Sequence, residues 1–371
     1  MKLEGIRVLD LSNFLPGPLL SLTMADHGAE VTKIEQPGEG DPGRHIGLSD
    51  GPHTVFFRNH NRGKKSIVLD LKQDADRAAL LELVATADVF VESFRPGVAK
   101  RLGVDYATLR QRNPRIVYCS ISAFGQDGPY RDRPAHDLAM EALTGALSLN
   151  VGSDGQPAIP GLPLADLLGG MNGLAGVLMA LLRRQATGAG DYVDISMMDS
   201  MVAALRNVVG PTFAEGRQPD PKHERTTGGS AFYRIYATRD GGRIALAGQE
   251  PKFIHALLKE LGRPELAPLC LQGPGPHQQP VMDFLERSFR ECTRAQWEER
   301  LAKLDVCFGG VNTLPEAFQD PQVLARGMVL RDDAGRPHIA SPIRFLHEPA
   351  ATSLQSPALD GHRDLLDTPQ R

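Results

Sequence analysis

Chemistry-bearing residues gather in a few stretches of the chain. Asn61-Arg62-Gly63-Lys64-Lys65-Ser66 sets three cations beside the start of a strand. Ser93-Phe94-Arg95-Pro96-Gly97, followed by Lys100 and Arg101, furnishes the end of another strand with an aromatic ring and a guanidinium. An aromatic face with Arg and Lys nearby suits a purine carrying phosphates. The plainer alternative is a set of solvated charges at loop ends. Asp166 stands at the head of a long apolar helix, where unpaired N–H groups and the helix dipole can stabilise a carboxylate. An ordinary N-cap would put Asp there too.

The elements that must position these residues follow from hydrophobic pattern. Strands are predicted at Ile6–Leu11, Val31–Glu35, Ser66–Leu71, Val89–Ser93 and Arg115–Ser122, with helices at Pro18–His27, Ala75–Ala87 and Tyr106–Gln111 between them. This alternation predicts an α/β fold with a mainly parallel sheet covered on both faces, so that ligands lie outside the carboxyl ends of the strands. A long helix is expected from about Asp166 to Gln185, with glycines at 169, 173 and 176 leaving one face bare for close packing. Residues 210–230 are polar and rich in Pro and Gly, which marks a boundary. Beyond them a β-hairpin turns at Arg239-Asp240-Gly241-Gly242, and helices are expected at Pro251–Leu261 and Pro280–Lys303. The expected division is a large domain over 1–210, a smaller α+β domain over 225–325, and a C-terminal segment, 326–371, that returns to the first.

Composition excludes several classes. The chain has 371 residues, 41% hydrophobic and 23% charged, which suits a folded globule of more than one domain. Lys and Arg number 41 against 45 Asp and Glu, a net charge of −4, which supplies no overall basic field for nucleic acid. Four dispersed cysteines without a CxxC pair indicate neither a disulfide framework nor a thiolate zinc site, and fit a reducing cytoplasm. The acidic residues in MKLEGIRVLDLS argue against a signal peptide, and the apolar stretch Leu167–Leu182 is too short and too glycine-rich to be read as a membrane span. Pro16-Gly17-Pro18 stands where a dinucleotide fingerprint needs three glycines, and no GxxxxGK[ST], HExxH or GxSxG occurs.

Eight ordered blocks carry a resemblance: GIRVLDLSNFLPGP, GAEVTKIEQPGEGD, NRGKKSIVLDLK, ADVFVESFRPGVAKRLG, NPRIVYCSISAFGQDGP, HDLAMEALTG, ADLLGGMNGLAGVLMALLRRQATGAGDYVDISMMD and AGQEPKF. With these the chain resembles the family III CoA-transferase superfamily, which contains CoA-transferases and alpha-methylacyl-CoA racemases. The resemblance implies a large Rossmann-like domain, a small domain and two chains interlocked as a homodimer, with an acyl-CoA thioester as substrate. Neither a nucleic-acid nor a membrane partner is implied. It puts Leu69 and Lys72 at the adenine–ribose end of CoA, with Ser93, Phe94, Arg95 and Arg101 along the nucleotide and Asp166 beside the thioester. Gln36 stands where some relatives carry a CoA-binding arginine. No metal or redox cofactor is called for, because CoA arrives as part of the substrate.

Within the superfamily both branches use the aspartate that Asp166 matches. The racemases it resembles add a histidine in a G-H-D-type motif, matched here by His136 before Asp137, although Ala135 replaces the glycine. They also carry a glutamate that orients that histidine, matched by Glu250 in Gln249-Glu250-Pro251. Inversion next to a thioester needs a base on one face and an acid on the other with an enolate between, and an imidazole opposed to a carboxylate can exchange roles. The expectation is therefore a 2-methylacyl-CoA racemase with His136, Asp166 and Glu250 as its machinery. The alternative is a CoA-transferase in which Asp166 is the nucleophile, and a third reading is an acyl-CoA-binding protein without activity.

Overall fold

The computed structural model describes residues 1–152 and 154–367. Contacts divide the chain into two units. The first comprises residues 1–144, 161–203 and 321–371, the second 145–160 and 204–320.

The first unit is built on six strands: β1 (Arg7–Asp10), β2 (Glu30–Glu35), β3 (Lys65–Val68), β4 (Val89–Glu92), β5 (Val117–Ser122) and β6 (Tyr192–Ser196). All pair in parallel, in the order β3-β2-β1-β4-β5-β6. β4 and β5 are buried along their whole length, as strands covered on both faces must be. The helices are α1 (Pro16–Asp26), α2 (Val55–Asn61), α3 (Asp74–Val84), α4 (Val98–Arg101), α5 (Tyr106–Arg112), α6 (Asp137–Leu143), α7 (Leu164–Thr187) and α8 (Met197–Ala204). The chain reverses its direction of travel across the sheet between β1 and β4, so the crevice for a ligand opens outside the carboxyl ends of those two strands.

α1 begins at Pro16, earlier than expected, because proline already has helical φ and lacks only an N–H that the first turn leaves unpaired. Gly17 is required there, since a Cβ would lie 2.1 Å from Ser12 Oγ. α7 is long and apolar enough by length and composition to cross a membrane. Its buried face carries Gly169, Gly170, Gly173, Leu174, Val177 and Leu181, and packs on α1, β5 and β6. At Gly170 a Cβ would stand 2.6 Å from the carbonyl oxygen of Pro16, so here backbone meets backbone. Gly173 and Gly176 instead make room for the side chains of Leu20, Ile121 and Val193. Residues 321–367 close on the same unit through a hairpin, whose strands Val329–Arg331 and Pro337–Ile339 pair antiparallel.

The second unit holds α9 (Gly210–Glu215), a three-stranded antiparallel sheet of β7 (Tyr233–Ala237), β8 (Arg243–Ala247) and β9 (Phe308–Gly310), and helices including α10 (Pro251–Glu260), α11 (Ala267–Cys270), α12 (Gln279–Phe289) and α13 (Arg294–Leu301). The single helix expected over Pro280–Lys303 is two helices. Thr293 starts the second with a capping box closed by Gln296, and this local hydrogen bonding breaks the run. Trp297 is buried against Phe289 and donates its indole N–H to the Phe289 carbonyl at 2.8 Å.

Candidate functional site

The residues that meet at the crevice are set by two loops. After β1, Ser12–Phe14 is fixed at every residue: Ser12 N–H donates to Asp10 Oδ1 (2.9 Å), Asn13 N–H to Ser93 Oγ (3.0 Å) and Phe14 N–H to Asp41 Oδ1 (3.3 Å). The bond from Asn13 ties this loop to the one following β4, where Ser93, Phe94 and Arg95 stand at the reversal of strand order. Behind the first loop, Lys33 Nζ donates to the Ser12 carbonyl (2.7 Å) and pairs with Asp41 (2.8 Å), while Lys64 pairs with Asp10 (3.0 Å). All four charged groups are buried. Burial pulls Lys64 down to about 8, against the pull of Asp10. For Lys33 the burial penalty is outweighed by Asp10 and Asp41, which hold it above the usual lysine range.

These pairings correct the reading of Asn61–Ser66 as a phosphate-holding stretch. Arg62 is buried and paired with Asp26, Lys64 is buried with Asp10, and Lys65 pairs with Glu30 at 2.8 Å. Its cations hold the fold. The second stretch is different, for Arg95, Lys100 and Arg101 are all exposed. Leu69 is buried just past β3, and Lys72 is exposed in the turn that follows. β3 and β4 are separated by β2 and β1, three strand spacings or about 14 Å, so the two groups mark the ends of an extended track along the carboxyl edge.

Asp166 and His136 lie at the starts of α7 and α6. α7 begins two residues before Asp166, and Pro163 at its N-cap makes no side-chain cap. The cap comes from elsewhere in the chain: Asp137 Oδ1 accepts the N–H groups of Ala165 (2.7 Å) and Asp166 (3.1 Å), and Glu141 Oε1 accepts that of Leu164 (3.3 Å). The Asp166 carboxylate is therefore not an N-cap. It is half-buried, and burial, then the charge of Asp137, pushes it up to about 6. Glu141 is raised too, by burial first and next by its hydrogen bond with Asp137. His136, the residue before this anchor, is the N-cap of α6, but its side chain makes no cap bond. Its exposed ring meets Phe14 edge-on, with centroids 6.0 Å apart and planes at 85°. Phe14 has φ of 63°, a left-handed backbone that costs a non-glycine residue roughly 1–3 kcal/mol and survives only where the surroundings over-determine it.

Sequence reasoning missed Asp137, Glu141 and Phe14 as members of this arrangement. The Asp following His136 was the one available signal. Glu250 lies in the second unit, exposed, at the N-cap of α10 and without a side-chain cap bond. The second unit also contains an open cleft of about 1160 Å³, lined by Lys222, His223, Tyr233, Arg234 and Leu246 among others, and none of the residues singled out from sequence lines it. Among the described residues no group of three or more His, Cys, Asp or Glu is arranged to hold a metal ion.

Comparison with known proteins bears on what such a site does. Residues 3–363 match the profile of CoA-transferase family III. The chain is 36% identical over 333 residues to an acetyl-CoA:oxalate CoA-transferase of Acetobacter aceti, covering 88% of this chain and 85% of that one. It is 32% identical to a succinate–glutarate CoA-transferase of Agrobacterium fabrum, covering 97% and 94%. Among solved structures it is similar to a CAIB/BAIF family protein from Brucella suis, with a TM-score of 0.84, 32% identity, and coverage of 98% and 99%.

Proposed function

Because the chain belongs to CoA-transferase family III, we propose that it moves CoA between two carboxylic acids, with Asp166 as the nucleophile. The observation that carries this reading is the Asp166 carboxyl itself: half-buried in the first turn of α7, relieved of capping by Asp137, and held near 6, so that it is ionised at neutral pH yet more basic than an ordinary aspartate. Its carboxylate attacks the carbonyl of a donor acyl-CoA, forming a mixed anhydride and releasing CoA thiolate. The thiolate attacks the aspartyl carbonyl, the donor leaves as a free carboxylate, and CoA remains as an aspartyl thioester. An acceptor carboxylate attacks that thioester and displaces the thiolate, forming a second anhydride. The thiolate then takes the acceptor's acyl group and Asp166 is restored.

The relatives above are named as transferases, which favours this reading over the racemase expected from His136 and Glu250. Leu69, Lys72, Ser93, Phe94, Arg95 and Arg101 form the CoA track in this proposal, with the two cations at 95 and 101 near the phosphates. In this proposal a second copy covers the exposed apolar face of α7, formed by Met171, Leu178, Met179 and Leu182, and a solution mass of one chain would refute that part of it. Four free thiols suit a reducing compartment.

The test is incubation with acyl-CoA esters and candidate acceptor acids in heavy water, followed by mass spectrometry of products and protein. Acceptor-dependent transfer with a CoA-sized adduct on Asp166, lost in Asp166→Asn, is expected. Deuterium entering C2 with no acceptor present, and no adduct, would restore the isomerase reading.

A further inference from the structure

We propose that Phe14 is a specificity-determining residue, whose ring, held against the His136 imidazole, limits branching next to the thioester carbonyl of the acyl group that the site admits. The inference rests on the transferase reading for the position of the acyl group. It begins from a residue that suits neither its backbone nor a core. At φ of 63° glycine is the favoured residue, and the Phe14 ring remains 39% exposed, so burial does not explain its size.

The surroundings do explain its direction. Asp41 takes the Phe14 N–H, Lys33 holds both Asp41 and the Ser12 carbonyl, and Asp10 holds the Ser12 N–H. Asn13 between them is bonded to Ser93 on the neighbouring loop. The buried charges that clamp these backbone groups cannot relax without leaving a partner unpaired, so the chain keeps the left-handed turn and the ring is delivered to His136. From His136 the contacts run on through Asp137 to the Asp166 amide. A thioester carbonyl within reach of the Asp166 carboxylate lies at the end of this chain of contacts, and the substituents on its neighbouring carbon share that space with the ring and the imidazole.

The experiment compares wild type, Phe14→Gly and Phe14→Leu with acetyl-, propionyl- and 2-methylpropanoyl-CoA. It measures transfer to an excess of a fixed acceptor acid, equilibrium binding of each ester by calorimetry, and thermal stability. Glycine fits the backbone, so Phe14→Gly is expected to melt no lower than wild type. Its preference for 2-methylpropanoyl- over acetyl-CoA is expected to rise about tenfold, the scale on which a pocket senses a methyl-sized group, with Phe14→Leu between. An unchanged preference in transfer and in binding, with a lower melting temperature, would overturn the proposal and leave the ring a packing element. Wild-type binding without transfer to any acceptor would instead count against the transferase reading, and a shifted binding preference in Phe14→Gly would still sustain the role of Phe14.

Discussion

Asp137 Oδ1 accepts the backbone N–H of Asp166 at 3.1 Å while also accepting that of Ala165 at 2.7 Å. One side chain thus joins the turn that carries His136 to the helix that carries Asp166, and it spends the favourable end of the α7 dipole on its own charge. Asp166 keeps its place in the first turn but loses the stabilisation that such a place ordinarily gives a carboxylate. Burial and the neighbouring charge then act together to raise its basicity.

Replacing Asp137 by Asn tests that coupling. With Asp166 at about 6, the rate should fall as pH drops through 6, because the protonated acid cannot attack a thioester. Asn keeps an oxygen for the two N–H groups and removes the charge, so the acid limb of kcat/KM should move down toward the ordinary aspartate range near ~4. Burial, the larger cause, persists, so the move is partial. A limb that stays at 6 would mean the charge of Asp137 has no hold on Asp166.

Glu92, at the carboxyl end of β4, gives a prediction about stability. Burial pushes it up to about 7, against hydrogen bonds from Ser120 and the Phe94 N–H. Unfolded, it would titrate near ~4.3, so between those values the folded protein holds a proton that the unfolded chain has released. Stability contributed by that bound proton is present below the unfolded value and is lost as pH rises through 7. Glu92→Gln, neutral throughout, should gain on wild type by on the order of 3 kcal/mol between pH 4.5 and pH 8 in denaturant unfolding. Parallel pH profiles for the two proteins would exclude a buried proton on Glu92.

The sheet was legible in the sequence where apolar runs alternate with helices apolar along one face, as in β3–α3–β4, because the helical spacing of Leu80, Leu83 and Val84 matches the face that is buried. β6 escaped because Tyr192–Ser196 sits at the sheet edge with four of its five residues partly or fully exposed and a central Asp194, so it lacks the buried apolar run of the inner strands. Asp166 could be found by its place at the head of an apolar helix. The cap from Asp137 could not, since it joins residues far apart in the chain that only the tertiary fold brings together. Nor does any local pattern reveal that Arg62 and Lys64 each own a buried carboxylate, which is why the basic run around them looked open to phosphate. The left-handed turn at Phe14 is hidden for a related reason: its residue type argues against the conformation that its neighbours impose.

Gly170 should be intolerant of a single added carbon. A Cβ there meets the carbonyl oxygen of Pro16 at 2.6 Å, and backbone cannot rotate away as a side chain can. Gly170→Ala is expected to destabilise the protein by roughly 1–3 kcal/mol in denaturant titration, by forcing α7 off α1. Gly161→Ala, where nothing lies within 4 Å, serves as the control and should be close to neutral.

Arg62 links the C-terminal segment to the first unit's core, and its removal should expose that link. The guanidinium is 1% exposed, paired with the buried Asp26, and donates through Nη2 to the Ile339 carbonyl at 2.9 Å. Arg62→Met leaves the Asp26 carboxylate buried and alone, a defect that typically costs about 3–5 kcal/mol. It also frees the carbonyl on the strand Pro337–Ile339. Adding Asp26→Leu removes the stranded charge, and buried ion pairs replaced whole by apolar residues are often neutral, so the double variant should recover most of the lost stability. Amide exchange separates the two effects: the Pro337–Ile339 strand should exchange faster in both variants, because neither restores the bond to Ile339. Additive losses in the double variant would show that the charge on Asp26 is not what makes Arg62 necessary.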